Sequence, residues 1–237
     1  MSPEQLRRYL SYFQDLGVKN IYRRAAANPI QPGPAPTPVE LPPLEPAGDT
    51  LAKISEDIGD CRRCRLCEGR SKIVFGSGSE KARLVFVGEG PGADEDAQGL
   101  PFVGRAGQLL TQMIENTAAK EGIPIHRADV YICNVVKCRP PENRAPQPDE
   151  MEICGQFLSR QLMALRPRAI CALGSTAAKA LLATKDGVTR MRGRWHKWRD
   201  IPVMVTYHPS YLLRAYNQSA KREAWEDLKT VLHFVYD

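Results

Sequence analysis

The sequence lacks any hydrophobic run that approaches the roughly 20 residues needed to span a bilayer. Its first residues, MSPEQLRRYLSYF, also lack the basic start, apolar stretch and small-residue cleavage site of a secretory signal. These two absences predict a cytoplasmic protein with no membrane partner. Disulfides are rare in that reducing compartment, so we expect the 7 cysteines to be metal ligands or buried core residues.

Motifs for nucleotide cofactors are absent too. The chain contains neither G-x-G-x-x-G nor Gly-Lys-Ser/Thr. A small neutral ligand or a nucleobase suits the glycine-rich turn at residues 88–92 better than a nucleotide does. The reason is that acidic side chains in and just after this turn would repel phosphates: Glu89, Asp94, Glu95 and Asp96.

Positive charge is in moderate excess. The 237-residue chain has a formal net charge of +6, and the excess lies in residues 51–237 because residues 1–50 carry equal numbers of basic and acidic side chains. The densest basic stretch, residues 185–199, has Asp186 as its single acidic residue. This stretch is either a phosphate-binding surface or a solvated loop, and charge alone does not separate the two.

Proline divides the chain into three parts. Residues 1–27 are predicted to form a helix, because apolar residues recur there near helical spacing. Eight prolines between Pro29 and Pro46 predict an extended linker over residues 28–50. Residues 51–237 have the length of one globular domain. The helix and linker have three open interpretations: contact with a protein partner, docking on the domain, or a poorly ordered tail.

Four short apolar runs alternate with helical patterns in this domain. Such continuous, β-branched runs are typical of parallel strands that are buried on both faces. The alternation predicts an α/β fold, a three-layer α/β/α sandwich around a central four-stranded parallel sheet. Ligands of such sheets bind at the carboxyl ends of the strands, so we expect functional residues to cluster there. The predicted strands are 83–89, 130–136, 169–173 and 201–207, and the predicted helices are 106–121, 148–165, 176–183 and 219–234.

Three side chains in or after the predicted strands carry useful chemistry. Asn134 offers a donor and an acceptor, which can pair with the edge of a base. His208 precedes a proline, whose ring restricts the histidine backbone and so fixes where the imidazole points. Phe102 lies outside any periodic pattern, which disfavours a core position and favours a stacking platform. Each of the three also has a structural interpretation, as a loop anchor or a satisfied buried polar group.

The cysteines indicate a metal site. Cys61 and Cys64 form a C-x2-C motif, and Cys138 and Cys154 supply two more thiols. Spacing alone does not distinguish zinc from an iron–sulfur cluster. Cys67 extends the motif to C-x2-C-x2-C, but the fourth cysteine and proline of a ferredoxin do not follow it. The remaining cysteines lie inside predicted strands and are expected to be buried small hydrophobes: Cys133 and Cys171.

Four separated blocks carry a resemblance: GEGPGADEDAQGLPFVGRAG, NVVKCRPPENR, ALGSTAAKALL and TYHPSYLLR. In this order they resemble the family 4 uracil-DNA glycosylases, the iron–sulfur branch of that superfamily, over residues 51–237. The resemblance implies a monofunctional enzyme of base excision repair, with uracil-containing DNA as its partner. Such an enzyme flips uracil out of single- or double-stranded DNA and hydrolyses the N-glycosidic bond. We expect a monomer with a 4Fe–4S cluster, whose ligands the resemblance assigns to Cys61, Cys64, Cys138 and Cys154.

The resemblance also assigns roles in a uracil pocket. Phe102 would stack on the base, Asn134 would pair with N3–H and O4, and His208 would face O2. Glu95 would lie near the base, where its bulk would exclude the methyl group of thymine. The first motif would line the rest of the pocket with Glu89, Gly90 and Gly92.

Catalysis is expected to depend on His208, whose N–H would stabilise the charge that develops on uracil O2. Other branches of the superfamily orient the attacking water with an aspartate, but Gly90 stands in that place here, so Glu89 is a weaker candidate for the base. Residues 211–214 resemble the loop that enters the DNA helix, and Leu212, Leu213 or Arg214 would fill the vacated space. The expected DNA contacts are Lys137, Arg139, Arg144, Arg192, Arg194, Leu213 and Arg214.

Three alternatives stay open at this point. A non-enzymatic DNA-binding or sensing module would use the same scaffold, and a zinc-stapled nuclease or hydrolase would use the same cysteines. A third alternative is the superfamily variant that becomes covalently trapped on the abasic sugar. That variant carries a histidine between its third and fourth cysteines, whereas residues 139–153 contain none.

Overall fold

The computed structural model describes the C-terminal unit of the chain, Pro43–Asp237, almost completely. The predicted helix 1–27 and linker 28–50 lie almost wholly outside the described residues, so both stay predictions. No helix among the described residues is long and apolar enough to cross a membrane. The described residues are 3, 4, 7, 48–214 and 217–237.

A six-stranded mixed sheet lies at the centre of this unit. Its four inner strands are parallel, which confirms the predicted parallel sheet. Two edge strands run antiparallel to their neighbours, and the prediction of four strands missed both. In spatial order the strands are β1 (Ser77–Gly78), β3 (Tyr131–Asn134), β2 (Leu84–Gly88), β4 (Ala169–Leu173), β6 (Ile201–Thr206) and β5 (Trp195–Trp198).

The edge strands lack the pattern that identified the inner ones. Strand β1 has only two residues. Strand β5 has the sequence WHKW, alternates between exposed and half-buried positions, and lies inside the basic stretch 185–199. Neither forms a continuous apolar run, because an edge strand is covered on fewer sides than an inner strand.

Helices cover both faces of the sheet, which confirms the three layers. On one face, Val85 and Cys133 belong to a core that includes Leu162. On the other face, Phe86 and Cys171 belong to a core that includes helix residues such as Ile114 and Leu232. The described helices are α1 (Leu51–Ile58), α2 (Ala93–Gln98), α3 (Arg105–Lys120), α4 (Pro148–Leu165), α5 (Gly174–Leu182), α6 (Val188–Met191), α7 (Pro209–Leu212) and α8 (Gln218–Tyr236), with 3₁₀ turns at Arg65–Cys67, Arg127–Asp129 and Pro141–Asn143.

The register of the inner strands brings their carboxyl ends together. Gly88 at the end of β2 lies opposite Asn134 at the end of β3. Leu173 at the end of β4 lies opposite Thr206 at the end of β6. The loops that follow these four strands therefore leave the sheet along one edge, which is where ligands bind in parallel sheets.

Candidate active site

A cavity of about 350 Å³ opens at this carboxyl edge of the sheet. Side chains and backbone from the loops after β2, β3, β4 and β6 line it. The structure brings together all seven residues that the sequence assigned to the uracil pocket, and each of them lines this one cavity: Glu89, Gly90, Gly92, Glu95, Phe102, Asn134 and His208.

Asn134 lines the cavity and has an unsatisfied hydrogen-bond acceptor. The residue is 1% exposed, and its Oδ1 atom has no hydrogen-bond partner among the described residues. An unpaired amide oxygen at such a buried position costs free energy until a donor reaches it. Gly88 makes room for this amide, since a Cβ atom there would lie 2.4 Å from Asn134 Oδ1.

Phe102 belongs to both the core and the cavity wall. It is 6% exposed and packs in the same core as Phe86 and Leu110, so the expectation that it lies outside the core is wrong. No sequence pattern indicates this burial, because the residue lies in a loop, with a φ of +54°, and not in a periodic element. Its ring centroid lies 5.5 Å from that of His208, at an interplanar angle of 36°.

His208 has a fixed ring orientation at the start of α7. Its Nδ1 atom accepts a hydrogen bond from the Ser210 backbone N–H at 3.2 Å, and Ser210 Oγ lies 2.8 Å from the same atom. Because Nδ1 accepts, the single proton of the neutral ring lies on Nε2. Gly174, whose φ is +89°, lets the two loops approach, since a Cβ there would lie 3.1 Å from His208 Cβ.

The imidazole of His208 is neutral at physiological pH. Burial lowers the pKa of this ring to about 4, against a smaller opposing effect of the nearby Glu95 carboxylate. The ring therefore offers one N–H donor, at Nε2, without carrying a positive charge.

The Glu95 carboxylate binds backbone N–H groups. Its Oε1 accepts from Val103 at 2.9 Å and from Gly104 at 3.0 Å, and its Oε2 accepts from Gly92 at 3.1 Å. This carboxylate thereby ties the first turn of α2 to the loop that carries Phe102. Exclusion of the thymine methyl by Glu95 stays a prediction.

Glu89 is the other carboxylate of the cavity lining. Its Oε2 atom accepts a hydrogen bond from Thr176 Oγ1, in the first turn of α5.

Three residues of the site were not predicted from the sequence: Thr176, Ser210 and Gly88. The signal for Ser210 was local, since a serine two residues after a histidine can bond back to its ring. Thr176 binds Glu89, and Gly88 makes room for Asn134, so each has its partner on a different loop. Sequence spacing does not reveal such contacts.

Comparison with known proteins identifies the family. The sequence profile of the Uracil DNA glycosylase superfamily matches residues 75–229. A type-4 uracil-DNA glycosylase of Thermotoga maritima is 44% identical over 184 residues, which cover 77% of this chain and 93% of that protein. Type-4 uracil-DNA glycosylases of Sulfurisphaera tokodaii and Archaeoglobus fulgidus are 41% and 42% identical over 191 residues, covering 77% of this chain and 84% and 92% of theirs. The chain belongs to the type-4 uracil-DNA glycosylases.

Lys137 does not reach the surface of this type-4 family member, so its prediction as a DNA contact is wrong. It is fully buried, and its Nζ donates to the backbone carbonyl of Asn134 at 2.8 Å and to Gln161 Oε1 at 2.6 Å. Burial lowers the pKa of Lys137. The side chain fixes the backbone at the end of β3, next to the amide that lines the cavity.

Arg192 also binds within the protein. Its guanidinium donates to both carboxylate oxygens of Asp227, at 2.6 and 3.0 Å, and to the Glu223 carbonyl at 2.8 Å. Only 19% of its side chain is exposed. The structure gives Arg192 a structural role between α6 and α8 in place of the predicted phosphate contact, because Asp227 offsets its charge.

Two other arginines predicted to contact DNA lie near the cavity mouth. Arg139 donates from Nε to Asn143 Oδ1 at 2.8 Å. Arg144 lines the cavity and forms two hydrogen bonds with Glu150, at 2.7 and 2.8 Å. Both side chains are partly exposed, so they stay predicted contacts to the DNA backbone.

The loop after α7 presents apolar and basic side chains to solvent. Leu213 is 38% exposed, and Arg214 and Arg194 are exposed as well. Leu212, which was one of three candidates to enter the DNA helix, is 1% exposed and packs against α8 residues such as Ala224. Leu212 is therefore unable to fill a vacated base position, whereas Leu213 and Arg214 stay candidates.

The four cysteines assigned to a cluster lie in one region. Cys138, in the loop after β3, and Cys154, on α4, are buried in one core, and Cys61 and Cys64 pack against that core. Burial raises the pKa of the Cys154 thiol, and the nearby thiols of Cys64 and Cys61 raise it further. Two N–H groups point at the sulfurs: the Lys137 backbone amide lies 3.2 Å from Cys154 Sγ, and Arg70 Nη1 lies 3.5 Å from Cys138 Sγ.

Within residues 48–214 and 217–237, no three His, Cys, Asp or Glu side chains meet around a point that one metal ion could occupy. Each thiolate of a 4Fe–4S cluster binds a different iron atom, so its four ligands stand farther apart than the ligands of a single ion. Four thiols in one region, two of them buried and two half-buried, with N–H donors to the sulfurs of Cys138 and Cys154, fit such a cluster.

Proposed function

We propose that the chain is a uracil-DNA glycosylase, a hydrolase that releases uracil from DNA during repair. Five relatives that are named type-4 uracil-DNA glycosylases are 38–44% identical to it. The observation that carries the proposal is the buried, unpartnered acceptor Asn134 Oδ1, which belongs to a residue that lines the same cavity as Phe102 and His208. A flat ligand that stacks on a ring and supplies one N–H donor suits this arrangement.

The amide of Asn134 selects the base. Uracil carries a hydrogen on N3 that can bind Oδ1, and its O4 can accept from the amide nitrogen. Cytosine has no hydrogen on N3 and presents the reversed donor and acceptor pattern. A buried site that loses its hydrogen-bond partner rejects the wrong ligand by about 10⁴–10⁵-fold. An Asn134 amide that turns Oδ1 toward N3 would therefore favour uracil over cytosine.

Uracil in a duplex reaches this cavity only after its nucleotide rotates out of the stack. Extrusion costs a few kcal/mol, and least at a mismatch. Leu213 or Arg214 would occupy the vacated space, since both side chains are exposed at the end of α7. Phe102 would stack on the extruded base. Single-stranded DNA requires no unpairing, so it is also a substrate of the proposed reaction.

Cleavage of the N-glycosidic bond leaves its electron pair on uracil, with charge on O2. The Nε2–H of His208 would donate to that oxygen, and a neutral donor held in place in a dry site stabilises the developing anion. Water then attacks the sugar carbon to form the new C–O bond, and the proton that it loses balances the charge of the uracil anion. We assign the orientation of this water to Glu89, because the Glu95 carboxylate already binds three backbone N–H groups.

The cysteine region would hold a 4Fe–4S cluster through Cys61, Cys64, Cys138 and Cys154. When bound, the cluster would act as a structural cross-link between the segment before β1, the loop after β3 and helix α4. Zinc is the alternative occupant, and analysis of bound iron and sulfide distinguishes the two. Three further predictions stay untested: that the protein is a monomer, that it is cytoplasmic, and that residues 1–50 bind a protein partner.

The proposed function is tested with a uracil-containing oligonucleotide, followed by alkali to cut the abasic sites. We expect the wild-type protein to release uracil and His208→Asn to lower kcat by about 10²–10³-fold, as loss of one donor to a developing anion does. His126→Asn is the matched control, because His126 is exposed and does not line the cavity.

Two results would contradict the proposal. One is a wild-type protein that binds uracil-containing DNA without releasing the base, which indicates a non-enzymatic module. The other is a covalent adduct between the protein and the abasic sugar, which indicates the trapped variant of the superfamily.

A further inference from the structure

The backbone of Phe102 is in an unusual conformation for a bulky residue. Its φ is +54°, in the left-handed region that side chains other than glycine, asparagine and aspartate seldom adopt. Such a conformation persists only where the surrounding structure holds it in place. The contacts on either side of Phe102 therefore decide where its ring points.

The peptide that follows Phe102 is held by Glu95. The Val103 N–H belongs to that peptide and donates to Glu95 Oε1 at 2.9 Å, and the next N–H, of Gly104, donates to the same oxygen at 3.0 Å. The orientation of the following peptide plane is fixed by this pair of hydrogen bonds.

The peptide that precedes Phe102 is held by Arg127. Its Nη2 donates to the carbonyl oxygen of Pro101 at 2.8 Å, and its Nη1 donates to Thr111 Oγ1 at 2.8 Å and to the Gly107 carbonyl at 3.5 Å. Arg127 lies just before β3 and does not line the cavity. Its side chain is half-buried, and all three of these acceptors belong to the loop of Phe102 or to the first turns of α3.

Helix α3 leaves no room for this loop to shift. A Cβ atom at Gly107 would lie 1.9 Å from both the carbonyl carbon and the carbonyl oxygen of Phe102. The backbone of Phe102 thus rests directly on the helix, and Thr111 Oγ1 donates to the Gly107 carbonyl at 3.1 Å.

The φ and ψ angles of a residue describe how its two flanking peptide planes are turned about Cα. Holding both planes fixes the direction of the Cα–Cβ bond and hence of the ring. We propose that Arg127 is a positioning residue for uracil recognition, which acts with Glu95 by holding Phe102 in the orientation that stacks on the base. This inference rests on the proposed function, because it concerns how that same cavity holds uracil.

A double-mutant cycle tests the inference, with Arg127→Met, Phe102→Ala and the double variant assayed for uracil release. Stacking holds the base in the substrate complex and in the transition state alike, so we expect Arg127→Met to raise KM about tenfold and to change kcat by less than about twofold. In the Phe102→Ala background, Arg127→Met should cause no further rise in KM, because its effect passes through the missing ring.

Loss of stability alone would give a different result. A destabilised variant has fewer active molecules, which lowers the apparent kcat and leaves KM unchanged. Arg168→Met is the matched control, since Arg168 donates to the Val235 carbonyl at 2.7 Å, away from the cavity lining. We expect this control to lower the melting temperature without changing KM.

If Arg127→Met does not fold, Thr111→Val removes one acceptor of the guanidinium with little change of shape. We expect a KM increase of about threefold, absent in the Phe102→Ala background. Equal fold-changes in the two backgrounds, or an unchanged KM in a folded variant, would overturn the inference. If the wild-type protein releases no uracil, the proposed function fails instead, so the two failures are distinguishable.

Discussion

At the scale of single residues, the missing side chain of Gly88 makes room for the two groups that would hold the base. A Cβ atom there would lie 2.4 Å from Asn134 Oδ1 and 2.5 Å from Phe102 Cζ. Both distances are shorter than any ordinary van der Waals contact, so both side chains would have to move.

Gly88→Ala is therefore expected to lower kcat/KM for uracil release by at least about 100-fold, and to lower the free energy of unfolding by only about 1–3 kcal/mol. Oligonucleotide cleavage and urea unfolding measure the two effects. Gly187→Ala is the control, because a Cβ at Gly187 meets no atom within 4 Å. Near wild-type activity in a folded Gly88→Ala protein would contradict the described packing.

The neutral ring of His208 has a consequence for pH. Because burial lowers its pKa to about 4, we expect its NMR signals to titrate near pH 4, and not near the ordinary histidine value of 6.5. In the unfolded chain the same ring takes up its proton near 6.5. The free energy of unfolding should therefore fall as the pH drops from 6.5 toward 4, and His208→Asn should make this dependence shallower. A titration midpoint near 6.5 in the folded protein would contradict this account.

Sequence reasoning found the residues of the cavity wall that carry distinctive chemistry. Asn134 and His208 were recognisable because a polar side chain at the end of an apolar run has few structural explanations. Arg127 and Thr176 were not recognisable, since each acts on a partner more than 20 residues away in the chain. Lys137 and Arg192 were misread for the same reason, because their acceptors Gln161 and Asp227 are also distant in sequence.

Among helices and strands, the degree of burial decides which elements can be predicted from the sequence. The four inner strands and α4 were predictable, because full burial requires continuous apolar runs or a long amphipathic pattern. The prediction for α4 has the bounds observed, Pro148–Leu165. Strand β5 was not predictable, since only one of its edges pairs with a neighbour and its side chains alternate between exposed and half-buried positions.

The elements around the cysteines are joined by Glu150. Its buried carboxylate accepts from Arg144 at 2.7 and 2.8 Å, from Arg65 Nε at 2.9 Å and from the Gln147 N–H at 2.7 Å. Arg65 follows the first cysteine pair, and Arg144 lies between Cys138 and Cys154. The hydrogen bonds of Arg144 are the main cause that lowers the pKa of Glu150 to about 2.

Glu150→Gln should therefore lower the free energy of unfolding by about 2–4 kcal/mol at neutral pH, because it leaves two arginines without their carboxylate. The contribution of this carboxylate is complete above pH 4.5 and is lost as the pH falls toward 2, so the difference between the proteins should shrink at pH 3. Urea unfolding at the two pH values measures this. Glu152→Gln, an exposed position on the same helix, is the control. A difference that grows at low pH would contradict the prediction.

At the scale of the whole molecule, only part of the positive charge is available to DNA. The net charge is +6, but Lys137 is buried and Arg192 is paired with Asp227. Other basic side chains of the stretch 185–199 are exposed. One of them is Arg194, two residues after Arg192, whose ion pair with Asp227 holds this segment in place. DNA binding should therefore depend on fewer cations than the sequence suggests.

Affinity for DNA should weaken as salt increases, with a slope of about −0.9 in log K against log [salt] for each phosphate contact. Arg194→Ala is expected to make that slope shallower by about one unit without changing the preference for uracil over cytosine. Lys81→Ala is the control, since Lys81 is exposed before β2, at the amino end of the sheet. A slope that stays the same in Arg194→Ala would exclude this residue as a phosphate contact.

Phe102 belongs both to the hydrophobic core and to the cavity wall, and this restricts how the cavity can evolve or be engineered. Trimming this ring to admit a larger base also removes packing from the interior, so selection for stability opposes it. Asn143 also lines the cavity, is exposed and does not belong to the hydrophobic clusters. Broader substrate range is therefore expected to arise by substitution at Asn143, where volume can be gained without hollowing the interior.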